Sequence, residues 1–121
     1  MQKERRLFVR FSMSGVVVVQ FDPRGTATID CELIDLSFDG IGLYAPRKLE
    51  INSKVKFIII NRQLNVNIGG IARVVYCNPV KYNSKDYYRI GFEFMEVDRQ
   101  QVRTILMRVR EISEPRTSWV N

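Results

Sequence analysis

The sequence predicts an all-β domain with a C-terminal helix, built as a small antiparallel barrel of six or seven strands. Three observations carry this reading. Short segments of alternating or β-branched apolar residues recur over residues 11–97, separated by Pro, Gly, Asn and Asp. A single stretch, after Asp98, has apolar residues at helical spacing. The chain has 121 residues, which suits one domain with one modest core. Many short strands, one terminal helix and no internal repeat point to a strongly bent sheet or barrel.

The elements follow in order. Residues 1–10 form an arginine-rich arm, expected to be flexible. Residues 11–21 read as one strand, since Val16-Val17-Val18-Val19 favours extended backbone. Asp22-Pro23-Arg24-Gly25 is a turn, with Pro presetting φ and Gly free to take an unusual one. Ala27, Ile29, Cys31 and Leu33 then alternate with Thr26, Thr28, Asp30 and Glu32, the pattern of a half-buried strand. The alternation fails at Ile34-Asp35, where a polar side chain falls on the apolar phase. Such a break marks a strand end, a bulge, or a side chain turned towards a ligand. Residues 40–45 read as a short strand ended by Pro46, and residues 55–60 as another. Leu64, Val66 and Ile68 alternate with Asn65 and Asn67. Gly69-Gly70 suggests a bend or bulge in one long strand that resumes over residues 71–77. Residues 78–86, with Pro79, read as a polar loop, and residues 88–94 as a strand with Ile90, Phe92 and Phe94 on one face. Asp98 has the character of a helix N-cap. Val102, Ile105, Leu106, Val109 and Ile112 form an apolar stripe, so a helix is expected over residues 98–113, ending before Pro115. Residues 114–121 are a tail whose Trp119 is either loose or folded back onto the body.

Composition narrows the function classes. With 45% hydrophobic and 26% charged residues the chain is not of the disordered type. No apolar run approaches the ~20 residues of a membrane-spanning helix, and residues 1–6 lack the apolar stretch of a secretory signal. A cytoplasmic location without membrane insertion is therefore expected. Cys31 and Cys77 do not form a metal-ligand cluster and read as reduced, packed thiols in that setting, although spacing alone leaves a disulfide open. The absence of histidine removes the commonest general base and the commonest metal ligand. With no nucleophile–base pair in view, no catalytic residue, no metal site and no enzyme activity are expected. The net charge of +6 favours an anionic partner.

Two short motifs concentrate the interest. Arg6-Leu7-Phe8-Val9-Arg10 has the spacing R-x-x-x-R, and Asp35-Leu36-Ser37-Phe38-Asp39-Gly40 has the spacing D-x-S-x-x-G. Alone, the arginines would read as solvated charges and the second segment as a turn held by side-chain to backbone hydrogen bonds. Their order and separation change that. Together with Gly70-Ile71-Ala72-Arg73-Val74-Val75-Tyr76 and Arg89-Ile90-Gly91-Phe92-Glu93-Phe94, they resemble the PilZ domain family of bacterial cyclic di-GMP receptors, in a single-domain member, over residues 5–112.

The chemistry fits that ligand. Cyclic di-GMP carries two phosphodiester charges and two guanines. A guanidinium fork suits phosphate oxygens and also the O6 and N7 edge of guanine. A carboxylate complements the N1–H and N2–H donors of guanine. A serine hydroxyl donates to phosphate or braces a loop, and glycine permits close backbone approach or positive φ. The resemblance implies ligand-binding roles for Arg6, Arg10, Asp35, Ser37 and Gly40. Arg5 adds a basic residue where the family associates one with a stacked, intercalated pair of ligand molecules, which implies two ligands per chain. Three further candidates have competing readings. Tyr76 lies where family members present an aromatic residue to a guanine, yet it shares the phase of Ala72 and Val74, which favours the core. Arg73, on the opposite phase, reaches an anion or water. Phe38 covers the ligand or is buried beneath the arm.

The expected function is a non-catalytic receptor with no cofactor beyond its ligand, cyclic di-GMP. Its arm folds over the barrel on binding and alters the surface offered to a downstream protein, whose identity the sequence does not supply. The alternative is an adaptor of the same fold that binds protein without using the nucleotide. Single-stranded nucleic-acid binding ranks lower, because exposed aromatics are not interleaved with lysines.

Overall fold

The computed structural model describes residues 10–22 and 24–117, with side chains as far as residue 109. It contains strands β1 (Phe11–Ser12), β2 (Val16–Gln20), β3 (Thr28–Leu36), β4 (Gly40–Ala45), β5 (Lys54–Asn61), β6 (Val66–Tyr82) and β7 (Lys85–Val97), then helix α1 (Arg99–Thr117). The strands run in the order β1-β3-β2-β5-β6-β7-β4, and β4 pairs back onto β3. Six antiparallel strands thus close a barrel, which removes their free edges, and β1 is an extra strand on the end of β3.

Alternation places the core. On β5, Val55, Phe57 and Ile59 are buried while Lys54, Lys56 and Ile58 face out. Val17, Val19, Leu33, Ile41, Leu43, Ile68, Val74, Ile90 and Phe92 complete the same interior. Phe57 and Phe94 stack within it at 5.5 Å between ring centres. Each such side chain, fully buried, stabilises the fold by roughly 1.5–3 kcal/mol. Asp98 caps α1, its Oδ1 accepting the N–H of Gln100 (3.0 Å) and of Gln101 (3.2 Å). Val102, Ile105 and Val109 then turn inward, and the helix lies against β1 and β6.

Several expectations change. Residues 11–21 are not one strand, because the chain breaks between β1 and β2 at Gly15. A Cβ there would sit 2.6 Å from the Ile60 carbonyl oxygen, so the close approach of β5 requires glycine. Asn61 secures this corner, donating to the Ser14 carbonyl (2.6 Å) and accepting the Leu64 N–H (2.9 Å). Residues 78–86 are not a loop. They are the ends of β6 and β7, joined at Asn83 (φ 53°) and Ser84 (φ 66°) in a two-residue turn of the primed kind. Pro79 is tolerated because β6 pairs only with β7 at this point, leaving its missing N–H on an open edge. The glycine pair does lie in one long strand, but the nearby irregularity belongs to β7, where Met95 is the extra residue opposite Ile71 and Ala72. The helix continues to Thr117, through Pro115. Pro115 lacks the N–H that would bond the carbonyl four residues back, so one hydrogen bond is lost near the end of the helix. Trp119 lies outside the described residues. Cys31 and Cys77 are free thiols. Burial, and secondarily Asp30, pushes the Cys31 thiol up to about 12, which keeps it protonated.

The hairpin turn yields a direct test. A non-glycine residue in the left-handed region costs about 1–2 kcal/mol. Ser84→Gly is therefore expected to raise stability by about 1 kcal/mol in urea denaturation, and an unchanged or lowered midpoint would contradict the turn.

Candidate functional site

The site begins with two bulges. Leu33 pairs with Leu43 and Asp35 with Gly42, so Ile34 is an extra residue on β3. Without it Asp35 would share the inward phase of Leu33. With it, Asp35 faces outward opposite Gly42. The same happens on β6. Val74 pairs with Phe92 and Tyr76 with Gly91, so Val75 is extra and Tyr76 is carried to the outer face. The core position favoured for Tyr76 by simple phase counting is thus incorrect.

These two bulges frame one row across the outside of the barrel. Asp35, Gly42, Gly91 and Tyr76 occupy successive paired positions on β3, β4, β7 and β6. The two glycines lie buried beneath the side chains at either end, Gly42 under Arg89 and Asp35 and Gly91 under the Tyr76 ring. A Cβ on Gly91 would overlap the Tyr76 ring, and one on Gly42 would lie 2.5 Å from Arg89 Nη1 and 2.7 Å from Asp35 Oδ1.

Asp35 is held by two arginines. Arg10 Nη1 donates to Oδ1 at 2.7 Å, and Arg89 Nη2 lies 3.5 Å from Oδ2, the outer limit of a hydrogen bond. The Arg10 contact joins the two sequence motifs in space. β1, immediately after Arg10, reinforces it by pairing Ser12 with Asp35. Arg89 also lies over the Tyr44 ring, at 5.9 Å. Its Nη1 is shut off from solvent without a hydrogen-bond partner.

The other predicted residues divide clearly. Arg5 and Arg6 lie outside the described residues. Ser37 is fully buried and braces the β3–β4 loop. Its hydroxyl donates to Asp39 Oδ1 (2.6 Å) and accepts the Gly40 N–H (3.2 Å). Gly40 serves close approach, since a Cβ there would overlap the Phe92 carbonyl oxygen. Phe38 is half-buried beneath the helix, with Arg99 and Arg103 over its ring at 5.3 and 5.8 Å. Arg99 also donates to the Phe38 carbonyl at 3.1 Å. Arg73 reaches neither a free anion site nor water alone. It pairs with Glu93 (2.6 Å) and Asn52 (2.7 Å), beside the glycine row. Sequence reasoning missed Arg89 and Gly42 as parts of the site. The available signal was that Arg89 shares the outward phase of Gly91, as Gly42 does that of Gly40. Among the described residues no group of three or more Cys, Asp or Glu side chains is placed to hold a metal, and no helix is long and apolar enough to cross a membrane.

A sequence-family model for the PilZ domain matches residues 4–111. The chain belongs to the PilZ domain family. PilZ domains are cyclic di-GMP receptors and not enzymes. Solved structures agree on the fold. The PilZ domain of YcgR from Escherichia coli, determined with c-di-GMP, superposes with a TM-score of 0.73 at 17% identity, covering 94% of this chain and 98% of that one. The Bacillus subtilis inhibitor of motility MotI/DgrA superposes at 0.73 and 15% identity, over 93% of this chain and 53% of that one. MrkH of K. pneumonia gives 0.72 and 14%, over 90% and 51%. This PilZ domain therefore spans about half the length of the latter two proteins. No curated protein matches its sequence.

The row makes its own prediction. Overpacking a filled contact costs about 1–3 kcal/mol. Gly91→Ala is expected to lose that much stability in urea, and Gly91→Ala combined with Tyr76→Ala to recover part of it. Equal losses in the single and double variants would show that the ring does not rest on Gly91.

Proposed function

We propose that this PilZ domain binds cyclic di-GMP across the glycine row, with Arg10 and Asp35 at one end and Tyr76 at the other. The observation that carries the reading is the Arg10–Asp35 contact at 2.7 Å, which brings R-x-x-x-R and D-x-S-x-x-G together at one end of the row. The two ends of the row suit the ligand, with an aromatic ring for a guanine to stack on and a carboxylate for its N1–H and N2–H. Stacking on Tyr76 would contribute roughly 1–3 kcal/mol. The Arg10 side chain is 43% exposed, and ion pairs this open contribute only about 0–1 kcal/mol. A ligand with two phosphodiesters therefore competes easily for Arg10. Arg5 and Arg6 supply further cation density in the same segment, in keeping with a stacked pair of ligands. Ser37 and Gly40 act from beneath, by fixing the loop that begins just after Asp35.

The same contacts suggest how binding is read out to a partner protein. α1 touches both halves of the site, lying against β1 next to Arg10 and holding Phe38 with Arg99. Movement of the arm and loop on binding would be passed to the helix, where Arg99 and Arg103, which cover Phe38, are also exposed to a partner.

Calorimetric titration with cyclic di-GMP tests the reading. Two ligands per chain are expected, with Arg6→Ala, Arg10→Ala and Asp35→Ala each weakening binding at least tenfold. Absence of heat and of any rise in melting temperature would instead favour an adaptor that does not use the nucleotide. Unchanged affinity in all three variants would remove the proposed site.

A further inference from the structure

Arg89 is the residue of the outer face that the R-x-x-x-R and D-x-S-x-x-G motifs do not account for. It stands on β7 opposite Tyr44, two residues before Gly91 and on the same face. Its guanidinium is anchored at one side only, by the 3.5 Å approach of Nη2 to Asp35 Oδ2 and by the Tyr44 ring. Nη1 is buried against Gly42 with no acceptor. A buried guanidinium donor without a partner is costly and rare, so its persistence needs a reason. Gly42 makes the arrangement sterically possible, since a Cβ there would crowd both Arg89 Nη1 (2.5 Å) and Asp35 Oδ1 (2.7 Å).

Resting on the nucleotide reading above, we propose that Arg89 is a base-reading residue of this site, donating from Nη1 to O6 of the guanine whose N1–H and N2–H are accepted by Asp35. The geometry follows from the base itself. Along one edge guanine presents O6, N1–H and N2–H, one acceptor followed by two donors. An arginine donor beside an aspartate carboxylate is the complementary sequence. Adenine presents an amino donor at the position of O6, which would face Arg89 donor to donor, and it has no N2 amine for Asp35. Arg89 and Asp35 therefore read guanine jointly, with Nη1, now shielded against Gly42, turning outward off that glycine to meet O6 when the correct base is seated.

The test compares cyclic di-GMP with cyclic di-AMP by calorimetry on the full chain. Arg89→Met is expected to weaken cyclic di-GMP binding about tenfold or more, the usual consequence of losing a hydrogen bond from a charged donor. It should also narrow the preference over cyclic di-AMP by a similar factor. Gly42→Ala, which crowds the ends of both Arg89 and Asp35, should move both quantities in the same direction. Melting temperatures of both free variants establish that they fold. A residue that only positioned Asp35 would have no further effect once Asp35 is altered, so Arg89→Met must still weaken binding in an Asp35→Asn background. Wild-type affinity in Arg89→Met, or no additional loss in the double variant, overturns this inference alone. Absence of cyclic di-GMP binding by the wild type overturns it together with the reading on which it rests.

Discussion

In a closed antiparallel barrel each strand residue faces either the core or the outside, and one inserted residue reverses the assignment for all that follow it. The insertions at Ile34 and Val75 are therefore the constraint on which the site depends. Each turns outward a side chain that unbroken alternation would have sent into the core. A carboxylate at Asp35 in the interior would have carried a desolvation cost of several kcal/mol. Outside, it becomes one end of a row whose middle is Gly42 and Gly91 and whose other end is Tyr76. The glycines are as necessary as the bulges, because the Arg89 guanidinium and the Tyr76 ring occupy the space their Cβ atoms would take.

The interior pattern and the exterior row are parts of one arrangement. Ile41, Leu43, Ile90 and Phe92 fill the core from the same strands whose alternate positions supply Gly42, Arg89 and Gly91. Ser37, buried and fully bonded within its loop, sets where β4 begins and hence which residue meets Asp35. Around this rigid frame the weaker contacts lie at the Arg10 end. Arg10 is 43% exposed where Asp35 is only 14% exposed, and the two-residue β1 that follows Arg10 is the shortest strand of the domain as described. The frame is thus firmly bonded while its cationic edge is held more loosely.

Much of this was legible from the residues. Strand β4 has the bounds its pattern predicts, Asp98 caps the helix, and the failed alternation at Ile34-Asp35 marks a real bulge. That bulge was visible because an acidic residue fell on an apolar phase. The one at Val75 was not, since Val74, Val75 and Tyr76 are all compatible with a core and give no contrast. The β6–β7 hairpin was hidden for the opposite reason. It projects past the barrel, buries no continuous face, and so lacks the apolar period by which strands are recognised. Arg89 and Gly42 escaped notice because an arginine in a strand reads as a solvated charge and a glycine as a weak strand residue. Their significance arises only from the pairing of β4 with β7, which no local pattern encodes.

The central claim is that nucleotide binds on the row running from Asp35 to Tyr76. Backbone amide shifts followed by NMR during titration with cyclic di-GMP test it most directly. The largest changes are expected at Arg10, Asp35, Gly42, Arg89, Gly91 and Tyr76, with β2 and β5 nearly unmoved. Changes concentrated on β2 and β5, with the glycine row silent, would contradict it.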